Sequence, residues 1–203
     1  MSVGEFWPEK GVTSCEWTDQ HRQSVPAGLS GNSIAVDYGE PFWRVEFEVS
    51  MTSRSFLARE WSAFIRRREG RKNTFTMNRT FQSFPFNGGV NSDDGLSVLA
   101  YNRANSTLRI SGVEAGYRPT SGDMVSYFTE GGGYYVGEVT SNSAVADGRV
   151  TLRVWPAPRP PHPDTPNVRR IKAVGEFRVT SAPSPAEAFK SRSFRVTAEQ
   201  VIR

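Results

Sequence analysis

Apolar and charged residues alternate one by one over Phe42–Ser50. Trp43, Val45, Phe47 and Val49 fall on one side, and Arg44, Glu46 and Glu48 on the other. Period two in both sets predicts a strand with one buried face and one polar face, open to water or to a partner. The period then changes. Leu57, Trp61, Phe64 and Ile65 recur at i, i+4, i+7 and i+8, one apolar stripe on a helix from about residue 53 to 69. Arg66, Arg67 and Arg68 occupy its last turn, where the helix dipole favours cations. Gly70 suits the left-handed position that ends a helix. Alternation resumes in NTFTM, with Phe75 and Met77 inward. The stretch predicts strand, helix, strand, with the helix packed on one sheet.

Two loop-like stretches follow: SFPFNGGVNSDDG over 83–95, and WPAPRPPHPDTPN over 155–167. Prolines in the second cannot donate ladder hydrogen bonds and hold the backbone extended. Between the two lie short strand patterns separated by glycine turns. Leu108 and Ile110 alternate with Arg109; GDMVSYF follows a Ser121-Gly122 turn; GGGYYVGEVT opens on three glycines. After Asp147-Gly148, Val150, Leu152 and Val154 alternate with Arg149, Thr151 and Arg153. Closely spaced short strands with glycine turns predict a small barrel or sandwich. GEFRVTS and SFRVTAE then predict two final strands, with PSPAEAFKSRS between them as a loop or a single helical turn. The expected fold is mainly β: a β-sandwich with one packed helix, formed by residues 1–85 and 168–203, plus a small inserted β-barrel-like domain at 96–155. Residues 156–167 are expected to be a proline-rich linker.

Composition narrows the class. Charged residues make up 23% and apolar residues 37% of 203, which fits a folded globular chain and excludes a disordered one. The formal charge of +4 is small, and both signs are spread along the chain, so nothing compels a nucleic-acid or lipid partner. One cysteine, Cys15, excludes an intrachain disulfide. No apolar run approaches the ~20 residues of a membrane helix, and MSVGEFWPEKG lacks the basic and apolar regions of a signal peptide, so neither anchor nor leader is expected.

Catalytic chemistry finds little to stand on. His21 and His162 lie far apart in loop-like sequence, and a lone cysteine makes no sulfur cluster, so neither metal nor cofactor is expected. Cys15 with His21 is a conceivable thiolate pair, but TSCEWT alternates, and a small packed thiol explains it. Asp93 and Asp94 sit in a Gly/Asn loop and shape a turn. Glu46 and Glu48 are interleaved with Arg44, a face that forms ion pairs with a neighbouring strand or subunit. EGGGYY lacks phosphate-loop spacing and precedes a strand. The basic run Arg66-Arg67-Arg68-Glu69-Gly70-Arg71-Lys72 has no interleaved aromatic ladder, so a helix end available to acids explains it better than nucleic-acid contact. Trp43 and Trp61 belong to the core by alternation, while other tryptophans are candidates for sugar stacking.

The segment YGEPFWRVEFEVSMTSRSFLAREWSAFIRRREGRKNTFTM resembles tail proteins of long-tailed bacteriophages, where an aromatic-W-R-x-x-F strand leads into a helix with W-x-A-F and a basic G-R-x-N-T-F turn. LRISGVEAGYRPTSGDMVSYF, YYVGEVTSN and ADGRVTLRVWPAPR resemble the small β-domain of the same proteins. Together the likeness covers roughly residues 35–160. The family is that of the distal tail protein, or a related minor tail protein of the tail-tip ring. The resemblance implies a structural, non-enzymatic virion component. It implies a β-sandwich ring, commonly a homohexamer, joining the tail tube protein to the baseplate hub or fibre protein. Synthesis in the host cytoplasm and residence in the virion tail follow, with nucleic acid met only as DNA passing through the ring. Residues suited to the subunit interface are Arg44, Glu46 and Glu48 on the strand and Arg66, Arg67, Arg68 and Arg71 at the helix end. Competing readings are a glycan- or receptor-binding tail protein using the insert, and a small cell-wall hydrolase, against which the lack of a clustered catalytic set speaks.

Overall fold

A computed structural model describes residues 5–24, 36–37, 39–50, 56–80, 85, 92–114, 116–141, 145–164, 167–190 and 193–202. The first strands are β1 (Glu5–Phe6), β2 (Val12–Gln20), the short pair β3 (Gln23–Ser24) and β4 (Val36–Asp37), and β5 (Phe42–Ser50). Helix α1 (Phe56–Arg67) and β6 (Thr74–Asn78) follow. Next come β7 (Ser97–Asn102), β8 (Thr107–Ser111), β9 (Met124–Phe128), β10 (Tyr134–Ser141), β11 (Arg149–Trp155) and β12 (Val168–Arg169). The chain closes with β13 (Val174–Ser181), α2 (Pro185–Lys190) and β14 (Ser193–Gln200).

The fold is mainly β, in two six-stranded sheets. One has the order β1-β6-β13-β14-β5-β2; the other, β12-β9-β10-β11-β8-β7, is built wholly from chain that lies between β6 and β13. All neighbours are antiparallel except β1 and β6.

The first sheet buries one face under α1. Val45, Phe47 and Val49 of β5 meet Trp61 and Phe64 of the helix, with Phe75, Met77, Phe177 and Val196 alongside. Each such side chain, wholly removed from water, contributes about 1.5–3 kcal/mol. Trp61 also donates its indole N–H to the Lys10 carbonyl at 2.9 Å. The helix ends at Arg67, two residues short of the expected 69, and Glu69 joins Gly70 in taking positive φ, 46° and 68°. Expected residues 53–55 of this helix lie outside the described residues. A second helix, α2, packs against α1 through Ala188. Ser184 starts it with a reciprocal cap: its hydroxyl accepts from the Glu187 N–H at 3.2 Å, and the Glu187 carboxylate accepts from the Ser184 N–H at 2.8 Å. Those bonds hold the Glu187 carboxyl below its ordinary pKa.

The inserted sheet curls into a half-barrel around its own core, which includes Leu108, Ile110, Val125, Tyr127, Tyr135, Leu152 and Val154. The proline-rich stretch is no free linker. Tyr127 donates to the Arg159 carbonyl at 2.7 Å, Tyr135 to that of Pro156 at 2.6 Å, and the His162 N–H reaches the Phe128 carbonyl at 2.9 Å. The buried phenols hold the extended segment as a strap along the sheet edge, because they need acceptors and the prolines leave their carbonyls unused by a ladder. The boundary at 168 also shifts, since β12 pairs with β9 of the insert.

Candidate functional site

Where the two sheets meet, the chain is fastened rather than hinged. Met124, Val136 and Trp155 of the insert join the core of the first sheet, with the Trp155 ring 4.6 Å from that of Trp43. Gln200 accepts from the Trp43 N–H at 3.2 Å and donates to the Val136 carbonyl at 3.4 Å. Arg79 pairs with Glu138 at 3.3 Å, and Glu40 takes both Arg103 and Arg159. The crossover is closed by Arg170, whose side chain is 1% exposed. It pairs with Asp93 at 3.4 Å and Glu114 at 3.2 Å and lies 4.4 Å over the Tyr117 ring. Asp93 also accepts from the backbone N–H of Arg170 and Ile171, at 3.0 and 2.8 Å. It thus does more than shape the expected turn.

The outward face of the first sheet carries the charges expected of it. Registered across the strands, Arg178 of β13 faces Glu199, Glu199 faces Arg44, and Arg44 faces Thr18. Two residues along, Thr197 faces Glu46 and Glu46 faces Glu16; beyond them Arg195 faces Glu48 and Glu48 faces Ser14. Arg195 turns to Glu46, with an N···O distance of 2.8 Å. Among the described residues, Glu16 and Glu48 have no ion pair, and Glu16 stands directly opposite Glu46. Like charges so placed are unfavourable without a further cation.

The basic run divides. Arg66, Arg67 and Arg71 are exposed. Arg68 is buried, 4.8 Å over the Phe64 ring, and donates to the Thr74 carbonyl, so it is an internal brace and leaves the set of interface residues. Arg71 donates to the Thr180 carbonyl at 3.1 Å. Beside this end runs a 610 Å³ groove lined by Ile65, Arg66, Arg71, Val179, Ala182 and Pro183.

No family model matches the chain, and no curated protein matches it.

The groups weighed for catalysis are dispersed. His21 sits by Asp19 at 3.5 Å and by the Trp155 ring, while the Cys15 thiol lies beside Trp17 and Thr80, its pKa pushed up by burial. Among the described residues, no three His, Cys, Asp or Glu side chains are grouped to hold a metal. Trp7, Trp17, Trp43 and Trp61 are buried and offer no ring for sugar stacking. Sequence reasoning missed Glu16, Arg195, Arg178 and Glu199 as members of the charged face. Each lies in an alternating stretch, but only the strand register brings them beside Arg44, Glu46 and Glu48.

Proposed function

We propose that this chain is a structural component of a long-tailed phage virion: a tail-tip ring protein that joins the tail tube to the baseplate hub or fibres. Copies of the chain are its first partners, followed by the tube protein and the hub or fibre protein. The observation that carries the reading is the outward face of β2, β5 and β14. There the polar half of the phage-like segment is laid out as rows of charge whose glutamates are only partly neutralised among the described residues. A ring repeats one contact around an axis, and such a face supplies it without exposing apolar surface. The fastened insert adds to this, since a joint in a tube must transmit load between its two sheets.

Arg44, Glu46 and Glu48, with Arg66, Arg67 and Arg71, contribute contact surface. The test is Glu46→Lys with Glu48→Lys in the full chain, sized by mass photometry. Loss of higher-order species with an unchanged unfolding midpoint is expected. Association identical to the unsubstituted protein would count against the assignment.

A further inference from the structure

The inserted sheet has an outward face of its own; Glu138 of β10 is paired there with Arg79, while β8 and β11 carry three arginines. Arg149, Thr151 and Arg153 alternate outward along β11 while Val150, Leu152 and Val154 fill the half-barrel. On β8, Arg109 stands opposite Thr151, with Ser111 opposite Arg149 and Thr107 opposite Arg153. Arg109 is therefore diagonal to both arginines of β11, about 7–8 Å away backbone to backbone. All three guanidinium groups are exposed, and among the described residues none has an ion pair. A triangle of like charges on two adjacent strands opposes folding mildly and offers nothing to the core.

The complementary arrangement lies on the first sheet. Glu16 on β2 and Glu46 and Glu48 on β5 form a second triangle on two adjacent strands, of opposite sign. Arg195 satisfies Glu46 alone. Among the described residues, each chain thus carries an unneutralised basic triangle on one sheet and an incompletely neutralised acidic one on the other. Two surfaces that differ and match in charge make a heterologous, head-to-tail contact, the kind that builds rings.

We infer that the Arg109, Arg149, Arg153 face of the insert docks on the Glu16, Glu46, Glu48 face of a second copy. The inference rests on the ring reading for its choice of partner and deepens it by naming the two faces. A nucleic-acid strand is the other polyanion to weigh. The residues between these arginines are Thr107, Ser111 and Thr151, with no ring for a base to stack on, and three phosphate contacts bind weakly. Discrete carboxylates spaced along two paired strands fit better.

Two full-length variants test it: Arg109→Glu with Arg149→Glu and Arg153→Glu, and Glu16→Arg with Glu48→Arg. The first has two acidic faces, the second two basic ones. The positions are exposed or half-exposed, and matching circular dichroism and unfolding midpoints verify folding. By mass photometry and sedimentation at low salt, each variant alone is expected to associate more than about tenfold more weakly than the unsubstituted chain. A one-to-one mixture is expected to restore association, with the two variants alternating. Unchanged association in both variants, or loss in both without recovery on mixing, overturns this contact and leaves the ring reading standing. An unsubstituted chain that stays monomeric overturns both. Binding of a single-stranded oligonucleotide that the triple variant loses reassigns the face to phosphates and overturns docking on a second copy.

Discussion

Replacing Asp93 by alanine tests how the insert is held. The substitution removes the acceptor for two backbone N–H groups and for Nε of Arg170. A guanidinium that is 1% exposed is then left with Glu114, the Ser92 carbonyl and the Tyr117 ring. Removing one partner of a buried pair costs about 3–5 kcal/mol. Asp93 is 18% exposed and Glu114 stays in place, so the expected loss is at the low end, about 3 kcal/mol. Arg170→Met keeps the stem and deletes the charge, leaving two carboxylates that still reach water; its expected cost is about 1–2 kcal/mol. The double variant should cost less than the sum by about 1 kcal/mol or more, since the second change relieves the charge stranded by the first. Urea unfolding gives the readout with two probes. The tryptophans all pack on the core of the first sheet, whereas Tyr117, Tyr127 and Tyr135 belong to the insert. In the unsubstituted protein both signals should change together; in Asp93→Ala the tyrosine signal should move first. Additivity within about 0.3 kcal/mol, or an Asp93→Ala cost below about 0.5 kcal/mol, would refute the clasp.

Two further outcomes follow from packing and protonation. Gly175→Ala places a Cβ 2.4 Å from Val136 Cγ1 and 2.8 Å from the Phe177 ring, so the sheets must part locally; a loss of about 1–3 kcal/mol is expected, measured as a shift of the urea midpoint. Burial raises the phenols of Tyr117, Tyr127 and Tyr135 above the ordinary tyrosine value. The folded protein keeps these protons while the unfolded chain releases them near pH ~10. Stability is therefore fully present below pH ~10 and falls as pH rises above it. Phenolate absorbance for these three should appear together with unfolding; titration ahead of unfolding would contradict their burial.

Much of the architecture was legible because it is local. Period two in Phe42–Ser50 and the stripe through Trp61, Phe64 and Ile65 report the faces that the fold buries. The strands at Val150–Val154 and Leu108–Ile110 are read the same way. The stretch that forms α2 reads as a loop or a single helical turn, and the reciprocal Ser184–Glu187 cap that starts it was not read from the sequence. What else escaped depends on distant partners. Nothing around Arg170 distinguishes it from Arg169, yet one is buried on Asp93, 77 residues away, and the other is exposed. Arg68 reads as the third cation of a run, but helix rotation turns it under Phe64 and Phe75. The proline stretch reads as a linker until buried phenols across the sheet claim its carbonyls. For the interface, alternation identified Glu46 and Glu48, while Glu16 and Arg195 became their neighbours only through register.

The central claim is that the polar faces of this chain serve contact with its own copies. Mass photometry of the purified full-length protein, followed by electron microscopy of any large species, tests it most directly. Closed rings of identical copies, weakened by salt as charge-matched faces require, are the expected result. A monomer at every concentration and ionic strength would contradict it.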